Sequence, residues 1–167
     1  MDPQTTETDP IRNEGTMVSI ADSINIHRPL AHVFDFISSS DNDFEWQFGT
    51  LASGRTSEGA AAVGGSFRSV GHLMGRRMVS TFEITEYVAN LQYGFRSLTG
   101  PLVSHTLYTL KGSAPGRTTI QIDTQASPAD GAVLPRRGME RYMKKELRDN
   151  LVMLKTIMET AQARGLL

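Results

Sequence analysis

The sequence predicts an α+β domain of two layers, in which one long helix lies on an antiparallel sheet of about seven strands. Three observations carry this. Residues 135–162 place Met139, Met143, Leu147, Leu151, Leu154, Met158 and Ala161 at steps of three and four, the stripe of a helix that buries one face. Residues 66–126 break into five strand-like runs joined by very short turns, and connections that short force an antiparallel meander. Residues 17–26 alternate, with Val18, Ile20, Asp22, Ile24 and Ile26 on one side and Ser19, Ala21, Ser23 and Asn25 on the other.

Taken in order, residues 1–16 are polar and acidic and are expected to form a mobile tail; residues 17–165 are expected to form one domain. In the first strand Asp22 is the odd member, either a sheet-edge residue or a cavity carboxylate. Pro29 opens a short helix with Leu30, Val33, Phe34 and Ile37 at helical spacing. Asp41 or Asn42 then caps a second short helix over 43–48, which holds Phe44, Trp46 and Phe48. Three aromatics that close together cannot share one helical face. Residues 50–57 read as a short strand, and 58–65 as a Gly/Ala turn without the pattern of a phosphate loop.

The remaining strands are expected at 66–74, 76–87, 91–97, 102–111 and 117–126, with turns at Gly75, Ala89-Asn90, Gly100-Pro101 and Pro115-Gly116. The final helix is expected to start at Pro135 and stop near Gly165, and spans about 40 Å at ~1.5 Å per residue. Glu140–Lys144 and Lys145–Asp149 fall at the spacing of paired charges on its solvent side.

Composition narrows the function classes. The 167 residues are 39% hydrophobic and 21% charged with a net charge of −1, which argues against nucleic acid or an anionic membrane as partner. Zero cysteines exclude disulfides, thiolate metal sites and a cysteine nucleophile. No apolar run approaches the ~20 residues of a membrane span, and the N-terminus lacks a signal-peptide core, so a cytoplasmic protein is expected. His27, His32, His72 and His105 lack ligand-like spacing, so neither a metal nor another cofactor is expected. Homodimer formation is left open.

Several local strings carry a family resemblance. Ile26-His27-Arg28-Pro29 followed by Val33-Phe34-Asp35-Phe36-Ile37 and then Trp46 is one. Val63-Gly64-Gly65-Ser66-Phe67-Arg68, Gly75-Arg76-Arg77, Phe82-Glu83-Ile84-Thr85-Glu86-Tyr87, Gly116-Arg117-Thr118 and Leu151-x-x-Leu154-Lys155 follow in order. Together, over about residues 17–162, they resemble the START-like, helix-grip (SRPBCC) superfamily, in particular its polyketide cyclase/dehydrase and lipid-transport branch. The resemblance implies a strongly curved sheet gripping the long helix, with a cavity between them. It also implies that a strand arginine and tyrosines in that cavity bind or polarise carbonyl and enolate oxygens.

Candidate residues follow from strand parity. Arg68, Val70, His72 and Met74 share one face and Phe67, Ser69, Gly71 and Leu73 the other, and the period alone does not say which looks inward. Met78, Ser80, Phe82 and Ile84 are expected inward, with Glu86 at the rim, then Leu91, Tyr93 and Phe95, then Thr106, Tyr108 and Leu110 with His105 outside. The candidate catalytic residues are Arg68, to stabilise an enolate, Tyr108, to relay a proton, and His72 as acid or base. Candidate ligand contacts are Trp46, Phe82, Tyr93, Met139, Tyr142, Met143, Leu147 and Asn150.

Three readings result. The first is a binder of a hydrophobic or aromatic, lipid- or polyketide-like small molecule. The second is a polyketide aromatase/cyclase or dehydratase, which needs its catalytic groups to converge. The third is a partner-binding module with a filled core. The side chains from Met139 to Asn150 discriminate them: direct contact with the sheet leaves no pocket.

Overall fold

The computed structural model describes residues 17–132 and 136–163. The tail at 1–16, Pro135, Gly165 and the side chain of Ala161 lie outside the described residues. The strands are β1 (Val18–Ile26), β2 (Thr50–Arg55), β3 (Ser66–Leu73), β4 (Arg76–Val88), β5 (Gln92–Thr99), β6 (Leu102–Ala114) and β7 (Arg117–Pro128). The helices are α1 (Leu30–Ile37), α2 (Asp43–Trp46) and α3 (Arg136–Ala163), with a 3-10 turn over Ser40–Asn42 leading into α2.

All seven strands join one antiparallel sheet in the order β1-β7-β6-β5-β4-β3-β2. The meander from β2 to β7 lies in chain order, and β1 returns to pair with the last strand. The sheet therefore has β1 and β2 as its edges, and the α1–α2 segment bridges from one to the other. This is the helix-grip fold expected from the sequence: α+β, two short helices after the first strand, and a long C-terminal helix against the sheet.

Side-chain alternation explains most of the core. On β1, Val18, Ile20 and Ile26 are buried and their neighbours exposed. On β6 and β7, Thr106, Tyr108 and Leu110 face inward with Thr118, Ile120, Ile122 and Ala126. Under the last turns of α3, Leu151, Leu154 and Met158 are fully buried against Ile26, Phe34, Ile37 and Trp46. Each such side chain contributes ~1.5–3 kcal/mol of burial.

Bulges set the middle of the sheet. Between Ile84 and Glu86, β4 has one residue more than β5, so Tyr87 rather than Glu86 continues the inward face after Ile84. Tyr87 packs edge-on to Phe34 at 5.4 Å, and Glu86 lies on the convex side, where His105 Nε2 meets it at 3.2 Å. The rim position expected for Glu86 is thereby corrected. Leu91 belongs to the β4–β5 turn and is exposed, not inward, because Asn90 turns the chain at a positive φ of 62°. Asn42 does not cap α2 with its side chain; its amide closes the end of α1 by donating to the Phe36 carbonyl at 3.0 Å.

Candidate functional site

The stripe of α3 divides into three parts. Met139 is fully buried beside Val18 and Ile20, and Leu151, Leu154 and Met158 are fully buried at the other end. Between them Met143 and Leu147, on the same stripe, are only half-buried. On the β1 side they pack with Val18 and Ile20, and beside them, toward Phe82, Phe95 and Tyr108, lies a cavity of about 250 Å³. Its roof is Met143, Glu146, Leu147 and Asn150, and its floor includes Phe82, Phe95, Leu102, Thr106, Tyr108 and Ile122. Trp46 and Gln47 close the end nearest α2. A second chamber of about 150 Å³ adjoins it through Phe82, Leu102, Ser104 and Glu146, and runs on between Ser69, Leu73, Met78 and Ser80.

The aromatic wall is a continuous stack. Phe67 lies on Phe82 at 5.0 Å and meets Phe95 edge-on at 5.2 Å; Tyr93 stacks on Tyr108 at 5.9 Å, and Trp46 meets Tyr108 edge-on at 6.4 Å. Such rings give a large apolar surface at small rotamer cost. Burial raises the Tyr93 and Tyr108 phenols well above their ordinary range, so both stay protonated and Tyr108 offers a neutral hydroxyl. Behind them Asp43 is buried, and desolvation, with Asp41 nearby, raises its carboxyl strongly. Trp46 Nε1 is buried without a hydrogen-bond partner among the described residues.

Glu146 is the ionisable group common to both chambers. Its carboxyl is raised by burial, against a lowering by the Gly49 N–H that donates to it. Gly49 leaves room for this carboxylate, because a Cβ at that position would displace Glu146 Oε1 and stand 3.2 Å from the His72 carbonyl. One turn further, Asn150 Oδ1 accepts from Phe48 N–H at 2.9 Å. The segment after α2 is thus tied to α3 at two successive turns, and these ties hold the roof side chains in register with the floor.

The parity of β3 is settled by Phe67, which is buried in the aromatic wall. Arg68 consequently points out from the convex face and is exposed. His72, on the same face, is exposed at the rim of the smaller chamber. Of the three candidate catalytic residues, only Tyr108 lies in the larger cavity, so Arg68, His72 and Tyr108 do not converge. Among the expected ligand contacts, Trp46, Phe82, Met143, Leu147 and Asn150 line the cavity. Tyr93 lies behind Tyr108, and Met139 is packed into the core. Tyr142 stands outside, in a groove with Phe48 and His72, where its hydroxyl bonds the Met74 backbone.

Asp22 sits at the sheet edge, where Arg148 of α3 holds it through Nε at 2.7 Å and through Nη2, which also reaches the Ser23 carbonyl at 3.0 Å. The guanidinium lowers its carboxyl. It does not line the cavity. Glu146 was absent from the sequence-derived candidates, although its position was informative: it falls three residues after Met143 and four before Asn150, on the inner edge of the stripe.

Among the described residues no helix is long and apolar enough to cross a membrane. No curated protein sequence matches the chain. Solved structures share its fold. A START superfamily protein from Mycobacterium smegmatis superposes with a TM-score of 0.75 at 11% identity, covering 85% of this chain and 97% of that one. The Zhui aromatase/cyclase from Streptomyces sp. R1128 gives 0.75 at 14% identity, covering 87% and 95%. Major latex-like protein 151 from Panax ginseng gives 0.68 at 8% identity, covering 86% and 99%. The family model described as polyketide cyclase / dehydrase and lipid transport matches residues 17–159, nearly the whole described fold, and the chain belongs to that family.

Proposed function

We propose that this protein binds a hydrophobic or aromatic, lipid- or polyketide-like small molecule between the sheet and α3. The observation that carries this is the gap beside Met143 and Leu147, on a stripe whose two ends are fully buried. A sequence selected only for packing would fill that gap with larger side chains. Phe82, Phe95, Tyr108 and Ile122 offer apolar contact, while Glu146 and Asn150 offer polar anchors. That combination suits a ligand with an apolar body and oxygen substituents.

The test uses the only tryptophan as reporter. Aromatic polyketides, flavonoids and fatty acids are titrated against the purified chain while Trp46 emission is followed. Saturable quenching by at least one class, lost when Leu147→Phe fills the roof and retained in Arg68→Ala, is the expected result. No saturable response across those classes removes the reading.

A second reading, aromatase/cyclase or dehydratase chemistry, is supported by Glu146 and Tyr108 lining one chamber. A carboxylate raised by burial suits proton abstraction beside a carbonyl, and a neutral phenol can donate to the resulting oxygen. The structural similarity to an aromatase/cyclase is in keeping with it. Arg68 has no part in this version. Turnover of a linear poly-β-ketone analogue, lost in Glu146→Gln at analogue concentrations that saturate the variant, separates the two readings.

A further inference from the structure

The concave face of the sheet divides into two bands. One carries rings: Phe67 on β3, Phe82 on β4 and Phe95 on β5. One pleat further along the same strands, the inward positions carry serines instead. Ser69 follows Phe67 on β3 and stands directly opposite Ser80, which precedes Phe82 on β4. Ser97 follows Phe95 on β5, and its Oγ accepts from the N–H of Ser104 on β6 at 2.8 Å.

Ser69, Ser80 and Ser104 line the smaller chamber and are half-buried, and their hydroxyls make no hydrogen bond among the described residues. Each of these oxygens keeps accessible surface, so a group in the chamber can reach it. Leu73, Met78 and Leu102 give apolar contact beside them. A hydroxyl turned toward a packed interior without a partner is destabilising. Three of them on one concave face suit a wall that meets polar atoms of a bound molecule.

Charge narrows the class of that molecule. Among the described residues no lysine or arginine lines either chamber; the ionisable groups that could carry charge are Glu146 at the junction and His72 at the rim. An acidic group in the smaller chamber would lose hydration without a fixed cation to pair with. Serine hydroxyls both donate and accept, which matches neutral hydroxyl and ether oxygens.

We propose, resting on the binding between sheet and α3 argued above, that the ligand is a neutral amphiphile with a hydroxyl-bearing arm. Its aromatic or apolar body lies against Phe82, Phe95 and Tyr108, and the arm reaches Ser69, Ser80 and Ser104 in the smaller chamber. The chambers meet at Phe82, Leu102, Ser104 and Glu146, so one molecule can span both.

The glyceryl, propyl, carboxymethyl and aminopropyl ethers of naphthol share one body and differ in the arm. Their affinities for the full chain at neutral pH are measured by equilibrium dialysis, read by naphthalene fluorescence. The glyceryl ether should bind at least as tightly as the less hydrated propyl ether, and roughly tenfold tighter than the carboxymethyl ether. Ser69→Ala and Ser80→Ala should each weaken the glyceryl ether roughly two- to tenfold, the range for one hydrogen bond, and leave the propyl ether unchanged. Ser104→Ala should do the same, and decides if either other variant fails to fold. An unchanged ratio of glyceryl to propyl affinity in the variants overturns the proposal and leaves the cavity reading in place. Tightest binding of the carboxymethyl ether, or of the aminopropyl ether with Glu146 as its anchor, does likewise. Binding of none of the four removes the cavity reading and the proposal together.

Discussion

Replacing Glu146 by Gln changes one charge in the cavity and little else. The amide keeps an oxygen to accept from Gly49 N–H, so the tie between α3 and the segment after α2 is retained. Burial raises the Glu146 carboxyl above its ordinary 4.5, so between that value and the raised one the folded chain holds a proton that the unfolded chain has released. The contribution of Glu146 to stability is therefore greatest below 4.5 and falls as pH rises through the raised value. The Glu146→Gln variant has no such slope. Thermal unfolding of the two proteins should coincide at the acid end and separate in favour of the variant above the window. Ligand binding should move the opposite way. A donor on the ligand makes a hydrogen bond of ~1.5–3 kcal/mol to a carboxylate and ~0.5–1.5 kcal/mol to an amide. The difference of about 1–1.5 kcal/mol weakens binding roughly tenfold, read by Trp46 emission above the window. Parallel stability profiles together with unchanged affinity would refute the assignment of Glu146 as a buried anchor.

Gly71→Ala should destabilise the β2 edge, since its Cβ would overlap the Gly49 carbonyl oxygen, a backbone atom that accepts from His72 N–H at 2.7 Å. Overpacking of ~1–3 kcal/mol and one lost hydrogen bond of ~1 kcal/mol lower Tm by about 4–16 °C, and calorimetry showing no loss would count against the close approach. Leu147→Phe should abolish ligand binding while leaving Tm equal or higher; a large fall in Tm would mean that no room exists under the roof. Asp22→Asn should cost ~0.2–1 kcal/mol at neutral pH, the range for a largely exposed pair. Arg148 holds Asp22 below its ordinary 3.8, so this stability is present above that value and lost as pH falls through the lowered one. A double-mutant cycle with Arg148→Met that shows no coupling removes the pair from the account.

The order of elements was legible because each announces itself locally: alternation in 18–26, tight turns between β3 and β7, and three-four spacing along α3. Parity on uninterrupted strands could also be followed, as for Thr106, Tyr108 and Leu110. It failed where an extra residue intrudes, as at Glu86, and where a turn begins a residue late, as at Leu91. The direction of Arg68 had no local signal at all. It depends on whether Phe67 or Arg68 meets Phe82 and Phe95, and that is decided by strands ten to thirty residues away. Glu146 was hidden by the expectation that charged residues on a long helix face water. Its role depends on Gly49, whose missing side chain makes room for the carboxylate.

The same contrast explains how the fold tolerates a cavity in its centre. Met139 is seated at one end of α3 with Val18 and Ile20, and Leu151, Leu154 and Met158 at the other with Phe34 and Trp46. Between Met139 and Leu151 the helix bridges about 18 Å at ~1.5 Å per residue. Met143 and Leu147 hold that span on the β1 side, where they pack with Val18 and Ile20. Polar ties at its flanks add to this: Arg148 to Asp22 on the β1 side, Glu146 to Gly49 and Asn150 to Phe48 N–H on the α2 side. These ties fix the height of the helix above the sheet without occupying the space beneath. If they were absent, the gap beside Met143 and Leu147 would be a packing defect that the helix could relieve by settling about one side-chain layer. With them in place the space beside the roof side chains keeps its height, as the proposed binding of a small molecule requires.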